Sequence, residues 1–225
     1  SVTDPYNATM SVTVENNAIQ ELQVVSGTFN AEYGQAMSGI VNIVTKEGSK
    51  DYAGEFSYYL GDYVSDHTET FFHIDHINPS SINDFQANLS GPFPFTKDNL
   101  TFFVSGRYYD NEGYLYGIRR YNPSDSSNFD DPDSTKWLHE MTGDGKIVPM
   151  NPDKKLSMQW KLAWRVSPEM KLTYGGLWND REYKLYSHRF KYNPDGDLRH
   201  FRNGWNHILT WTHALTPNTF YTLKY

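Results

Sequence analysis

Residues 155–166 read KLSMQWKLAWRV, and their alternation decides the fold class. Leu156, Met158, Trp160, Leu162, Trp164 and Val166 share one parity, whereas Ser157, Gln159, Lys161, Ala163 and Arg165 share the other. Successive side chains point to opposite faces only in a strand, so period two predicts a β-strand with one apolar and one polar face. The same alternation recurs on both sides of this segment. Tyr52, Phe56, Tyr58 and Leu60 face away from Glu55 and Ser57, and Phe85, Ala87 and Leu89 oppose Gln86, Asn88 and Ser90. Leu100, Phe102, Val104 and Tyr108 oppose Ser105 and Arg107, and Met170, Leu172, Tyr174 and Trp178 oppose Lys171, Thr173 and Asn179. Residues 204–215 and 219–225 complete a set of about seven strands with less regular faces.

The connections alternate in length. Short links with turn-forming residues are expected at 93–98, 167–169 and 216–218, and long polar links at about 62–83, 111–153 and 184–203. Tight turns on one side and extended loops on the other are the pattern of an outer-membrane β-barrel, whose strands need about 9–11 residues each. A soluble β-sandwich or carbohydrate-binding β-protein keeps most connections brief, so it is the weaker alternative.

Composition agrees with many half-apolar strands. Mean hydropathy is −0.69, yet 16% of residues are aromatic, which separates the chain from disordered polar sequences. No apolar run approaches the roughly 18 residues of a membrane helix. The net charge of −7 and the lack of a basic stripe argue against a nucleic-acid partner. With no Cys, disulfides, thiolate metal sites and cysteine nucleophiles are excluded. Ser1, with no initiating Met and no leader pattern, is read as the start of a mature form or of a piece of a longer chain.

Residues 18–46 differ in character. AIQELQVVSGTFNAEYGQAMSGIVNIVTK holds two strand-like segments, Ile19–Val25 and Ile40–Thr45, around glycines at 27, 34 and 39. Ile40, Val41, Ile43 and Val44 are broken only by Asn42, which predicts a strand buried on both sides or nearly so. In order, Ile19, Leu22, Val24, Gly27, Ala31, Tyr33, Gly34, Gly39, Asn42, Thr45 and Lys46 resemble the C-terminal part of the plug domain of TonB-dependent outer-membrane receptors. The wording of residues 29–36, and Gly91-Pro92 followed by Leu100-Thr101-Phe102-Phe103, is similar to the Oar-like and SusC-like branch with a carboxypeptidase-regulatory-like N-terminal domain. Ser26 and Ser38 depart from the family, many members of which carry Arg and Gly there.

The resemblance implies an all-β fragment of a plugged transmembrane barrel: the end of the plug over residues 1–50 and the first barrel strands over 51–225. It implies a Gram-negative receptor that transports a siderophore, glycan, peptide or similar nutrient. In that family a barrel of about 22 strands is closed by the plug. Gly27, Tyr33, Gly34, Gly39, Asn42, Thr45 and Lys46 would then be structural plug positions. The implied partners are the outer-membrane bilayer, TonB through a segment this chain lacks, and a surface lipoprotein. A structural or adhesion subunit of the same fold is the alternative.

Other constellations are weaker. His73 and His76, with His67, Asp66, Glu69 and Asp75, crowd one loop but follow no tight zinc spacing. Asp125, Asp130, Asp131 and Asp133 could offer hard oxygen ligands to Ca2+ in an extracellular loop, although the EF-hand order is missing. Tyr114, Tyr116 and Tyr121 are candidates for stacking on a ligand ring, while Tyr108 and Tyr109 fit an interfacial aromatic girdle. No nucleophile elbow or phosphate loop is present, and Gly143-Asp144-Gly145-Lys146 reads as a turn, so no enzyme and no resident cofactor are expected.

Overall fold

The computed structural model describes residues 14–25, 40–96 and 98–225. Its main element is a seven-stranded antiparallel sheet in which every neighbour in space is the next long strand in sequence. In chain order these strands are β3 (Ala53–Gly61), β4 (Ile82–Pro92), β5 (Leu100–Asn111), β10 (Asp153–Arg165), β11 (Met170–Tyr183), β12 (His200–Thr216) and β13 (Thr219–Lys224). The expected seven strands and the alternation of short turns with long loops are both present. A separate antiparallel pair, β1 (Ile19–Val25) and β2 (Ile40–Thr45), precedes them. The long loops hold short pairings of their own, β6 (Tyr116–Ile118) with β9 (Ile147–Pro149) and β7 (Ser127–Asn128) with β8 (Leu138–His139).

The sheet wears its faces in the reverse of a soluble protein. Register runs without a break along β5, β10 and β11, so parity assigns each side chain to a face. The polar face is covered: Asp84, Ser105, Ser157, Gln159 and Asn179 are buried. The apolar face is open, with Phe56 at 70%, Trp205 at 59% and Trp164 at 48% of full exposure. Buried apolar side chains among the described residues are few, and Phe103 and Ala163 sit on the polar face of the sheet. Core formation by apolar burial therefore does not hold this sheet together; its ladder hydrogen bonds and the polar contacts described below do.

On each strand from β3 to β11 the apolar face ends, toward the long loops, in a polar residue. These are Asp62 just past β3, Asn83 on β4, Asp110 on β5, Lys154 on β10 and Asp180 on β11. Asn83, Asp110 and Lys154 lie in one cross-strand row. Asp62 lies one row higher and Asp180, beside Leu156, one row lower. The boundary thus runs obliquely, dropping about four residues of register over four strand steps, which corresponds to roughly 35° at about 3.3 Å per residue and 4.8 Å per strand.

Two expectations need correction. The β2 strand is not buried on both sides, because Val44 and Asn42 are exposed, as are Leu22 and Val24 on its partner. Among the described residues, the contacts of the pair with the sheet lie around residues 14–18 and 45–48. Tyr109 does not join Tyr108 in an outward girdle. Neighbours in a strand point oppositely. Tyr109 lies on the polar face, where its hydroxyl accepts from Asn111 at 2.8 Å and the Arg107 guanidinium covers its ring.

Candidate functional site

The covered polar face is where the N-terminal segment meets the sheet, and the contact is ionic. Arg107 on β5 donates two hydrogen bonds to Asp84 on β4, at 2.9 and 2.8 Å, and a third to Glu15 at 2.7 Å. Lys155 and Ser157 on β10 both donate to the other Glu15 oxygen. The Glu15 carboxylate is therefore held by two strands that are themselves hydrogen-bonded neighbours. Burial pushes the Glu15 carboxyl up, but the hydrogen bonds from Lys155 and Arg107 outweigh it and hold the group below the usual carboxylate range. Asn17 accepts from Ser105 at 3.1 Å, which fixes the same segment one step farther along β5.

A second clamp sits nearer the short turns. Glu47 pairs with Lys161 at 3.2 Å and with Lys171 at 2.6 Å. Lys161 also donates to the Thr45 carbonyl at 3.1 Å. Burial raises the Glu47 carboxyl, and the hydrogen bond from Lys171 together with the Lys161 charge brings it below its ordinary value. The next residue, Gly48, passes so close to β5 that a Cβ there would lie 2.5 Å from the Phe102 backbone, so only glycine permits this crossing.

Among the plug positions, Asn42 pairs with Gln23 and Thr45 with Ile19, and the Lys46 amide donates to Ala18 at 2.9 Å. Gly27, Tyr33, Gly34 and Gly39 lie outside the described residues. Glu15, Asp84, Arg107, Lys155, Glu47 and Lys171 were not singled out by sequence reasoning. Arg107, Lys161 and Lys171 stand on polar parities that alternation exposes. Nothing local ties Glu15 to a lysine 140 positions later.

The long loops pack on one another at the other end. The Ile118 amide donates to the Lys191 carbonyl at 2.8 Å, and Arg119 joins Asp144 to Asp195. Tyr114 is edge-on to Tyr63 and Phe71 and lines an apolar crevice of about 240 Å³ with Val64 and Ile74. Tyr116 is edge-on to His73 at 5.3 Å, whereas Tyr121 lies beside His139, so the three tyrosines do not converge on one ligand position.

His73 and His76 stack at 4.0 Å, and burial followed by the neighbouring His76 charge lowers the His73 imidazole. Asp125 accepts from the Asn122 and Thr142 amides, Asp131 from the Asp133 amide and Asp133 from the Thr135 amide. The Asp130 amide donates to Asn128. These loop acids tie backbone, and no group of three or more His, Asp or Glu among the described residues is placed to hold a metal ion.

No protein-family model, curated protein or solved structure matches this chain.

Proposed function

We propose that the sheet is the first part of a transmembrane barrel in the outer membrane, and that residues 14–48 belong to a plug resting on its luminal face. The observation that carries this reading is the reversed sheet. A face bearing Phe56, Leu89, Trp164 and Trp205 is open, while the face bearing Asp84, Ser157 and Gln159 is covered. Water would disfavour that arrangement at about 25 cal/mol for each Å² of apolar surface left exposed, whereas lipid removes the penalty.

The oblique polar boundary supports it too. A flat interface cutting across strands tilted by roughly 35° gives that stagger, close to the ~35–45° of outer-membrane strands. From Leu156 to Val166 the apolar parity spans about 33 Å along the strand, or about 27 Å after tilt, close to the ~25 Å height of an outer-membrane apolar band. The free ladder edges of β3 and β13 would need further strands in lipid.

In function the chain is then part of a TonB-dependent transporter that takes up a large nutrient. The Glu15 and Glu47 clamps hold the plug, and displacement of the plug would open the lumen. Two experiments test this on the full-length protein. Purification should require detergent or lipid, and a monodisperse protein in plain buffer would end the barrel reading. Deletion of the TonB-contacting segment should abolish growth on any nutrient that needs the intact gene. Retained uptake would favour a second reading, a structural or adhesive outer-membrane subunit, for which the tied loop cap of Arg119, Asp144 and Asp195 supplies a firm external surface.

A further inference from the structure

The loop between β6 and β9 carries the small hairpin of β7 and β8, and a row of aromatic rings runs along it. Phe129 stands one step beyond the Asn128–Leu138 pair, opposite Trp137, and the two rings meet edge-on at 5.4 Å and 89°. His139 follows Phe129 at 6.0 Å, and Tyr121 follows His139 at 5.4 Å. Four rings therefore stand in series. The outer two are open, Phe129 at 51% and Trp137 at 47% of full exposure. Each Å² of ring left in water forgoes about 25 cal/mol that burial would return, so the row is a surface suited to being covered.

The chain around these rings is negative. From Asn122 to Thr142 it carries Asp125, Asp130, Asp131, Asp133 and Glu140 against one lysine, Lys136. Backbone amides orient Asp131, Asp133 and Glu140, but neutral donors leave the charge in place. Lys136 lies 3.9 Å from Asp131 and 4.0 Å from Asp133 on an exposed side chain, so water screens what it returns. The ring faces add the negative end of their quadrupole. Apolar rings in a negative field suit one kind of side chain. Lys and Arg cover apolar surface with their aliphatic stems while the charged head stays at a carboxylate. The same field disfavours anionic partners.

We propose that this aromatic row docks a basic peptide segment in extended form, with Arg or Lys stems over Phe129 and Trp137 and the charged heads at Asp130 and Asp131. Alternate side chains of an extended peptide lie about 7 Å apart on one side, close to the 5.4–6.0 Å between adjacent rings. The inference takes only the outward placement of the long loops from the transport reading and goes beyond it, because a peptide held here binds whether or not it is carried inward. A neutral sugar would also stack on the rings, but it brings no charge for the five acids to meet.

The test is titration calorimetry of the full-length protein in neutral detergent with a soluble peptide of alternating Arg and Ala, against its Glu-Ala counterpart and a neutral oligosaccharide. Binding of the Arg peptide, weakening as salt rises, is expected, with no binding of the Glu peptide. W137A and D130N/D131N should each weaken it roughly tenfold, the scale of a lost cation–π contact or charge pair. An amide in place of the Asp131 carboxylate still accepts from the Asp133 backbone, so the second variant keeps the turn. D66N/E69Q removes the same charge from another exposed loop and should leave the affinity unchanged. Equal weakening by the two double variants would reduce the effect to net charge and overturn the proposal, as would binding that survives W137A. Oligosaccharide binding that needs Trp137 and ignores D130N/D131N would assign the rings to a glycan instead. Failure of the outward placement looks different: the purified protein binds the Arg peptide while intact cells carrying it do not.

Discussion

The Trp160 indole lies over Gly176, its cross-strand partner on β11, so closely that a Cβ at position 176 would sit 2.1 Å from Trp160 Cζ2. The ring is flanked on the other side by His207, 5.8 Å away, whose Nδ1 is hydrogen-bonded to the Tyr174 hydroxyl at 2.9 Å. Glycine is used here because the ring, not a side chain of residue 176, covers that patch of sheet. Gly176→Ala should therefore displace the indole and cost about 1–3 kcal/mol. Gly175→Ala, whose Cβ would come no closer than 3.6 Å to any atom, should be neutral. Urea titration of the full-length protein in detergent micelles distinguishes the two, and equal effects would contradict the packing.

The apolar face makes a depth-dependent prediction. Trp160 stands near the middle of the run from Leu156 to Val166, and Leu156 stands next to the polar row of Lys154. Trp160→Arg should cost about 2–4 kcal/mol and Leu156→Arg about 1 kcal/mol or less, as charge moves from the bilayer centre to its edge. Refolding equilibria in lipid vesicles measure both. A Leu156 penalty as large as that of Trp160 would mean that the polar row does not mark an interface.

Strands and loop alternation were legible because period two survives in the strands from β3 to β11, and Leu156 to Trp164 shows it without a break. The faces were legible for the same reason. What stayed hidden depends on contacts distant in sequence. The Ile40–Thr45 run is apolar enough for a buried strand, but burial depends on what lies against it, and among the described residues the sheet meets the hairpin at its ends. Glu15 is one acid among many until Arg107 and Lys155 are brought to it by the pairing of β5 with β10. The loop aspartates looked like ligands because composition cannot distinguish a carboxylate facing a cation from one, such as Asp125, that accepts backbone amides.

Glu15 also makes the docking of the N-terminal segment pH-dependent. Its folded value is depressed below the ordinary 4.5, so its contribution is complete above that pH and is lost as pH falls through the lower folded value. Hydrogen exchange at the Ala18 amide, bonded to the Glu15 carbonyl at 3.0 Å, should accelerate below about pH 4.5 once intrinsic rates are corrected. Glu15→Gln should remove the dependence and cost about 3 kcal/mol, because it leaves Arg107 and Lys155 half-matched in a covered site. Persistence of the same pH profile in the Gln variant would move the titration to another group.

The two lysines on Glu47 should not be equal. The Lys171 side chain is 45% exposed and that of Lys161 16%, although Lys171 makes the shorter contact, 2.6 Å against 3.2 Å. Exposed pairs contribute about 1 kcal/mol or less and weaken with salt. Lys161 is shielded and also satisfies the Thr45 carbonyl, so its removal leaves two acceptors short of a donor. Lys161→Met should lower the free energy of local opening at the Lys46 amide by about 2 kcal/mol, nearly independent of salt. Lys171→Met should lower it by under about 1 kcal/mol, and by less still at high salt. Native-state hydrogen exchange at that amide, bonded to Ala18 at 2.9 Å, reads both. The reverse order would show that bond length, not solvent access, sets the strength of this clamp.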